Sequence, residues 1–280
     1  MAQRRPALGA VVARASGTAG PAYAVRNRPP APPLHSYGPL CTLFYDADKP
    51  VAPDAEVAWY AQRLPQDAGP LLELMCGSGR LLVPLAAMGL KLHGVDFSAA
   101  MLASCEARLA ARSISAPLFR QDLTQLNLPF RYSAAFVAAG SFQLITDPGA
   151  ALLALQRIRA HLVDPGILLM DMFIPSESAQ RLGASLVEVR TARLADGTQI
   201  ALRSESTVWA DARMSRTEYR YAHRRGATRL AEEHETLTLT WYPPEEFAAF
   251  LGDAGFHDVT TEVSPTSEGD ETKYTVTARA

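Results

Sequence analysis

Long apolar runs are missing from this 280-residue chain. None approaches the roughly 18 residues that a membrane helix requires. An excess of one charge is missing too: 27 Lys and Arg stand against 29 Asp and Glu, for a net charge of −2. That balance excludes a strong electrostatic attraction to nucleic acid or to an anionic membrane. Cysteine is scarce, and Cys41, Cys76 and Cys105 are scattered and odd in number. They do not form a disulfide framework and fit a reducing, cytoplasmic setting. The six histidines lie far apart, so no His/Cys cluster has zinc spacing and no metal is expected. What these absences leave is a soluble enzyme that works without a metal.

Acidic residues are also missing from positions 1–34, which carry Arg4, Arg5, Arg14, Arg26 and Arg28 and end in a Pro-rich stretch. Such a segment buries too little apolar surface to offset the entropy of ordering it, so a disordered basic tail is expected. An organellar targeting peptide or an over-extended translation start would have the same composition. Residues 35–280 are long enough for one large α/β domain with an insertion.

The rest of the chain is organised around Leu71 to Leu82. Leu71 to Met75 is a buried-strand run interrupted only by Glu73; Gly77 and Gly79 then permit a tight turn and a close approach of backbone to ligand. Leu81, Leu82, Leu85 and Met88 recur at helical spacing, so a helix N-terminus faces whatever lies over the glycines. A second strand, Lys91 to Phe97, brings Asp96 about twenty residues beyond the glycines, where a ribose diol would lie.

Glu73-Leu74-Met75-Cys76-Gly77-Ser78-Gly79-Arg80 followed by Gly94-Val95-Asp96-Phe97-Ser98 resembles the class I S-adenosylmethionine-dependent methyltransferases of small-molecule type. A Rossmann turn for NAD is the other reading, but its fingerprint asks for a third glycine where Leu82 stands. The resemblance covers about residue 37 to the end. It implies a Rossmann-like, seven-stranded, mostly parallel sheet with helices on both faces, an N-terminal helical cap over residues 35–66, and an antiparallel insert before the last helix. It also implies S-adenosyl-L-methionine as cofactor, held by Tyr45, Glu73, Cys76, Gly77, Ser78, Gly79, Arg80, Asp96, Phe97 and Met101. Asp122 and Leu123, at the end of a third strand (116–120), would take the adenine, with Gly140 beside the methyl donor.

Further along, Tyr132 to Ala139 reads as a fourth strand, and its carboxyl end opens on the crevice where such sheets bind ligands. Ser141, Phe142 and Gln143 there are candidates for the acceptor pocket, together with Tyr37, Phe173 and Tyr221. A helix over 148–162 feeds a fifth strand from Ile167 to Phe173. Residues 186–241 break the βα rhythm: β-formers alternate, with turns at Ala195-Asp196-Gly197 and Arg224-Arg225-Gly226, so three or four antiparallel strands are expected. In the family such an insert crosses the acceptor pocket or forms a dimer interface. It supplies the weak candidates for a base, Tyr219, His223 and His234. A helix from Pro243 and two final strands, His257–Val263 and Lys273–Ala278, match the antiparallel end of the family's sheet.

The sulfonium methyl is already activated, so proximity and alignment are the main demands on the protein. No residue announces itself as a general base, which favours a neutral amine or a readily ionised oxygen as acceptor. The chain lacks the Asn/Asp-Pro-Pro-aromatic motif of enzymes that methylate nucleic-acid bases. A small-molecule acceptor is therefore expected, on a monomer or a homodimer formed through the insert. A non-catalytic S-adenosylmethionine-binding protein and an NAD-dependent oxidoreductase are the alternatives.

Overall fold

The computed structural model describes residues 37–66, 69–176, 180, 186–264 and 273–280. The basic tail, residues 1–34, lies outside the described residues. Two helices open the chain, α1 (Pro39–Asp48) and α2 (Asp54–Arg63). The βα core follows: β1 (Leu71–Leu74), α3 (Leu82–Ala87), β2 (Leu92–Asp96), α4 (Ala99–Ala110), β3 (Leu118–Arg120), β4 (Tyr132–Val137), α5 (Pro148–Ala160) and β5 (Leu162–Phe173). Next come four insert strands, β6 (Leu186–Arg193), β7 (Gln199–Trp209), β8 (Met214–Arg225) and β9 (Thr228–Thr240). Helix α6 (Pro244–Asp253) and strands β10 (His257–Val263) and β11 (Lys273–Arg279) end the chain.

The main sheet has seven strands in the order β10-β11-β5-β4-β1-β2-β3. β1 pairs in parallel with β2 and β4, and β11 runs antiparallel to both β5 and β10. Seven strands, mostly parallel with an antiparallel end, are what the family resemblance implies. All four residues of β1 are buried, as a central parallel strand covered by helices on both faces demands. One face packs on α2, α3 and α4 through Tyr60, Leu82, Leu85 and Leu109. The other packs on α5 and α6 through Leu155, Ile158, Phe247 and Leu251. Each such side chain contributes about 1.5–3 kcal/mol by leaving water. Gly94 in β2 is a packing glycine, because a Cβ there would lie 2.7 Å from Leu82 Cδ1 and 2.9 Å from Cys76 Sγ.

Some boundaries differ from expectation. The third strand begins at Leu118 rather than Ala116. β4 stops at Val137, before Ala139 takes φ +56°. α5 ends at Ala160, and β5 begins at Leu162, because Leu162 already pairs with Tyr132 ahead of the irregular turn before Ile167.

The insert is a separate antiparallel sheet of four strands in the order β6-β7-β8-β9. It does not stand alone. Leu40, Cys41 and Phe44 of α1 form one apolar cluster with Ala192, Ile200, Leu202 and Tyr221 of the insert. Two carboxylates of β9 cap the first turn of α1: Glu233 accepts from the backbone N–H groups of Leu40 (3.0 Å) and Cys41 (2.9 Å), and Glu235 accepts from Gly38. Glutamates thus fill the cap role usually played by a preceding Ser or Asp. Cap helix and insert are packed as one unit over the sheet.

Candidate functional site

At the carboxyl ends of β1, β2, β3 and β4 the structure has a cavity of about 420 Å³, within the range of small-molecule and cofactor sites. Its floor is the glycine turn. Glu73, next to last in β1, is 3 % exposed; burial pushes its carboxyl well above the usual carboxylate range, and Oε2 has no hydrogen-bond partner. Met75, a non-glycine residue at φ +54°, and Gly77, also at φ +54°, turn the chain sharply under the cavity. Asp96 stands opposite at the end of β2. Its Oδ2 accepts from Gly77 N–H and its Oδ1 from Ser98 N–H, each at 2.8 Å. Burial raises the Asp96 carboxyl, and the backbone donors of Ser98, Gly77 and Phe97 oppose that rise. Ser98 then caps α4 by accepting from Met101 N–H at 3.1 Å, and its hydroxyl donates to Tyr37 O at 2.6 Å.

Beyond β3, Asp122 Oδ1 accepts from the backbone (2.7 Å) and the hydroxyl (2.8 Å) of Thr124, an Asx turn that fixes Asp122 and Leu123 on the cavity wall. Tyr45 and Arg80 close the side under α1. Arg80 is held by a two-pronged pair with Glu56, at 2.6 and 2.7 Å, and burial raises the Tyr45 phenol, with the Arg80 charge opposing. At the end of β4, Ala139 lines the cavity, and its N–H donates to buried Asp171 Oδ2 at 3.2 Å. Two non-glycine residues at positive φ, Met75 and Ala139, therefore flank one cavity. Strained backbone of this kind gathers where a ligand site fixes it.

Of the residues singled out in the sequence, the cavity gathers Tyr37, Tyr45, Glu73, Cys76, Gly77, Arg80, Asp96, Phe97, Met101, Asp122, Leu123 and Ser141. The others lie elsewhere. Ser78 is fully buried and accepts from Arg108, at 3.1 Å to both its carbonyl and its hydroxyl. Gly79 serves packing: at φ +79°, an added Cβ would sit 2.6 Å from Cys105 Sγ. Gly140 takes φ +68° to start the turn that carries Gln143. Phe142 is a core ring against Phe247. Gln143 is a clip, its Nε2 donating to Phe173 O and Thr240 O and its Oε1 accepting from Phe173 N–H, all at 2.8 Å. Phe173 meets that clip through its backbone.

The insert's candidates also stay away from the cavity lining. Tyr221 is buried against α1, its hydroxyl donating to Cys41 Sγ at 3.2 Å, with Tyr219 stacked beside it. His223 shares a hydrogen bond with Thr198 at 2.7 Å, and His234 is exposed and pairs with Glu232 at 2.8 Å. What β9 brings to the cavity is Leu237 and Thr238; Leu144, Ile145, Thr146 and Asp147, from the loop into α5, face it from the core side. Sequence reasoning reached Leu144, in the stretch after β4, and passed over the other five. Alternation marks β9 as a strand but not which edge or face meets the ligand.

Among the described residues no group of His, Cys, Asp and Glu could hold a metal ion, and no helix is long and apolar enough to cross a membrane.

Comparison with known proteins agrees with this arrangement. The family model of the methyltransferase domain matches residues 71–166, from the first strand of the core to the turn inside β5. That core matches the methyltransferase-domain model and shares its fold with solved S-adenosylmethionine-dependent methyltransferases. A methyltransferase of Geobacillus sp. (strain WCH70) is 30% identical over 107 residues, which is 38% of this chain and 43% of that relative. The match thus spans less than half of the relative's length. Among solved structures, an S-adenosylmethionine-dependent methyltransferase from Clostridium acetobutylicum aligns with TM-score 0.67 at 16% identity, over 84% of this chain and 96% of the other. The sugar N-methyltransferase KedS8 from Streptoalloteichus sp. aligns with TM-score 0.66 at 22% identity, over 95% and 100%. CalS10 of Micromonospora echinaspora, an amino pentose methyltransferase solved with S-adenosylmethionine bound, aligns with TM-score 0.60 at 24% identity, over 80% and 90%.

Proposed function

We propose that this protein binds S-adenosyl-L-methionine in the cavity and transfers its methyl group to the nitrogen or oxygen of a small molecule, nitrogen being the better supported. The observation that carries this reading is the convergence of Glu73, Asp96 and Asp122, three acidic groups from three successive strand ends, on one cavity beside a glycine turn. The residues suit that ligand. Asp96, already ordered by two backbone donors, would accept from a ribose diol, and Asp122 with Leu123 would meet an adenine amine and ring face. The orphaned Oε2 of Glu73 is a buried acceptor that a cationic ligand would complete. Tyr45, Tyr37 and Arg80 close the methionine end.

When bound, the cofactor supplies a methyl group made electrophilic by the sulfonium. The chain's own task is to exclude water, through the α1 cap and β9, and to hold the acceptor lone pair in line. Effective concentration of this kind supplies up to roughly ten kcal/mol of a barrier. Among the described cavity residues there is no histidine or lysine. An amine that is neutral before attack, losing its proton to solvent afterwards, therefore fits better than an alcohol that must first be ionised. The sugar N-methyltransferase and the amino pentose methyltransferase of like fold support the same reading.

Incubating the protein with S-adenosylmethionine and panels of primary amines, phenols and carboxylic acids, and measuring S-adenosylhomocysteine, tests the reading. Turnover is expected with amines. Tight cofactor binding without turnover on any panel would favour a binding protein that uses its insert for a partner.

A further inference from the structure

β9 is an edge strand, paired with β8 on one side and with no strand on the other among the described residues. The free edge meets the cavity, because two consecutive residues, Leu237 and Thr238, line it, whereas a strand presenting a face would contribute alternate residues. The direction of its backbone follows from two bonds nearby. Trp241 N–H donates to Arg213 O on the β8 side at 3.2 Å, and Thr240 C=O accepts from Gln143 Nε2 on the opposite side at 2.8 Å. In an antiparallel ladder, residues two apart point their N–H and C=O groups the same way. The β8–β9 register is regular from Met214↔Thr240 through Tyr219↔Glu235. Thr238 therefore directs its N–H and C=O to the free edge, as Thr240 does.

The side chain of Thr238 adds a third group. The residue is 5 % exposed, lines the cavity, and its Oγ1 has no hydrogen-bond partner. A buried hydroxyl left open is unfavourable in the free protein, and a ligand that completes it removes the penalty. Its position is firm: two residues on, the Gln143 clip ties β9 to the end of β5. Around it Leu144, Ile145 and Leu237 are apolar, and no charged side chain lies on this stretch of β9.

Resting on the methyltransferase reading above, we propose that Thr238 is a positioning residue for the acceptor, and that the free edge of β9 selects a compact amino alcohol. One backbone donor, one backbone acceptor and one hydroxyl match a ligand hydroxyl with an amine on the neighbouring carbon, and the leucines and isoleucine match its ring carbons. The hydroxyl is the handle that fixes the amine's orientation; a simple amine lacks it.

The test compares trans-2-aminocyclohexanol and glucosamine with cyclohexylamine, measuring S-adenosylhomocysteine formation and, separately, S-adenosylhomocysteine binding by calorimetry. The wild-type protein is expected to prefer the amino alcohols by about tenfold in kcat/KM. Thr238→Val is expected to abolish that preference through KM, with cofactor affinity unchanged and thermal stability equal or higher, since an orphaned hydroxyl has been removed. Thr238→Ser keeps the preference, and Thr238→Ala repeats the loss should the Val variant not fold. An undiminished preference in Thr238→Val, weakened cofactor binding in that variant, or no turnover of any of the three amines by protein that binds S-adenosylmethionine overturns the proposal. Failure to bind S-adenosylmethionine at all would instead defeat the methyltransferase reading itself.

Discussion

The two halves of the cavity are built by opposite means. On the core side, polar groups are delivered by strand ends: Glu73 by β1, Asp96 by β2, Asp122 after β3, with Asp96 tied to the glycine turn and Asp122 to an Asx turn. On the insert side, one strand edge delivers Leu237 and Thr238, and the side chains that look most chemical, Tyr219, Tyr221, His223 and His234, are spent on packing or on surface pairs. Local turn chemistry fixes the first half and tertiary docking the second. A family can therefore keep the first in sequence while varying the second, and the matched segment, residues 71–166, stops before the insert.

The largest effect expected on this contrast comes from Gly79→Val. The branched side chain would enter the space of Cys105 Sγ and Val83 at a backbone φ of +79°. A loss of about 3–5 kcal/mol in unfolding free energy, read by chemical denaturation, follows from overpacking plus the left-handed conformation. A stable Gly79→Val protein that merely loses cofactor affinity would put Gly79 back among the ligand contacts.

Asp96→Ala comes next. It removes the proposed ribose acceptor and frees the N–H groups of Gly77 and Ser98. S-adenosylhomocysteine affinity should weaken by about 1–3 kcal/mol in calorimetry; unchanged affinity would remove the assignment.

Glu73 gives the core half a pH signature. Its carboxyl is raised in the folded chain by burial, so the folded state holds the proton more tightly than the unfolded state. The destabilisation by the ionised form is present above the folded pKa and is relieved as pH falls toward the unfolded value. Thermal stability without cofactor is therefore expected to rise from neutral to mildly acidic pH, with Asp96 and Asp171 acting in the same direction. Glu73→Gln should reduce that slope and hold or raise stability at neutral pH by about 1–3 kcal/mol. Cofactor affinity should run the other way, falling with acidity in the wild type and becoming weaker but flatter in the Gln variant.

His234→Ala should do the least. Its pair with Glu232 is exposed on both sides, and such pairs are worth about 0–1 kcal/mol. Unchanged turnover and melting temperature are expected; a lost turnover would return His234 to the catalytic candidates.

Most core strands, both cap helices and the antiparallel insert are legible because apolar periodicity and turn residues state them locally; the seven-stranded sheet came from the family resemblance, and its strand order only from the structure. Twelve of the candidate residues share the cavity, and most of these sit within three residues of a strand end or glycine turn. What escaped was long-range. Nothing local in Thr236 to Thr240 marks the edge that faces a ligand, and Gln143 reads as a pocket residue until its three bonds to Phe173 and Thr240 are seen. Ser78 and Gly79 resemble ligand contacts by position, and only the fold shows that Arg108 bonds the Ser78 hydroxyl and that Cys105 Sγ lies where a Cβ on Gly79 would go. The pairing of α1 with β9 through Glu233 and Glu235 joins residues nearly two hundred positions apart, with separations of 193 for Glu233–Leu40 and 197 for Glu235–Gly38.

Calorimetric titration of the full chain with S-adenosylmethionine and, in parallel, with NAD tests the central claim most directly. One S-adenosylmethionine bound per chain, with affinity reduced in Asp96→Ala and no heat from NAD, is the expected result. Binding of NAD without S-adenosylmethionine would contradict it.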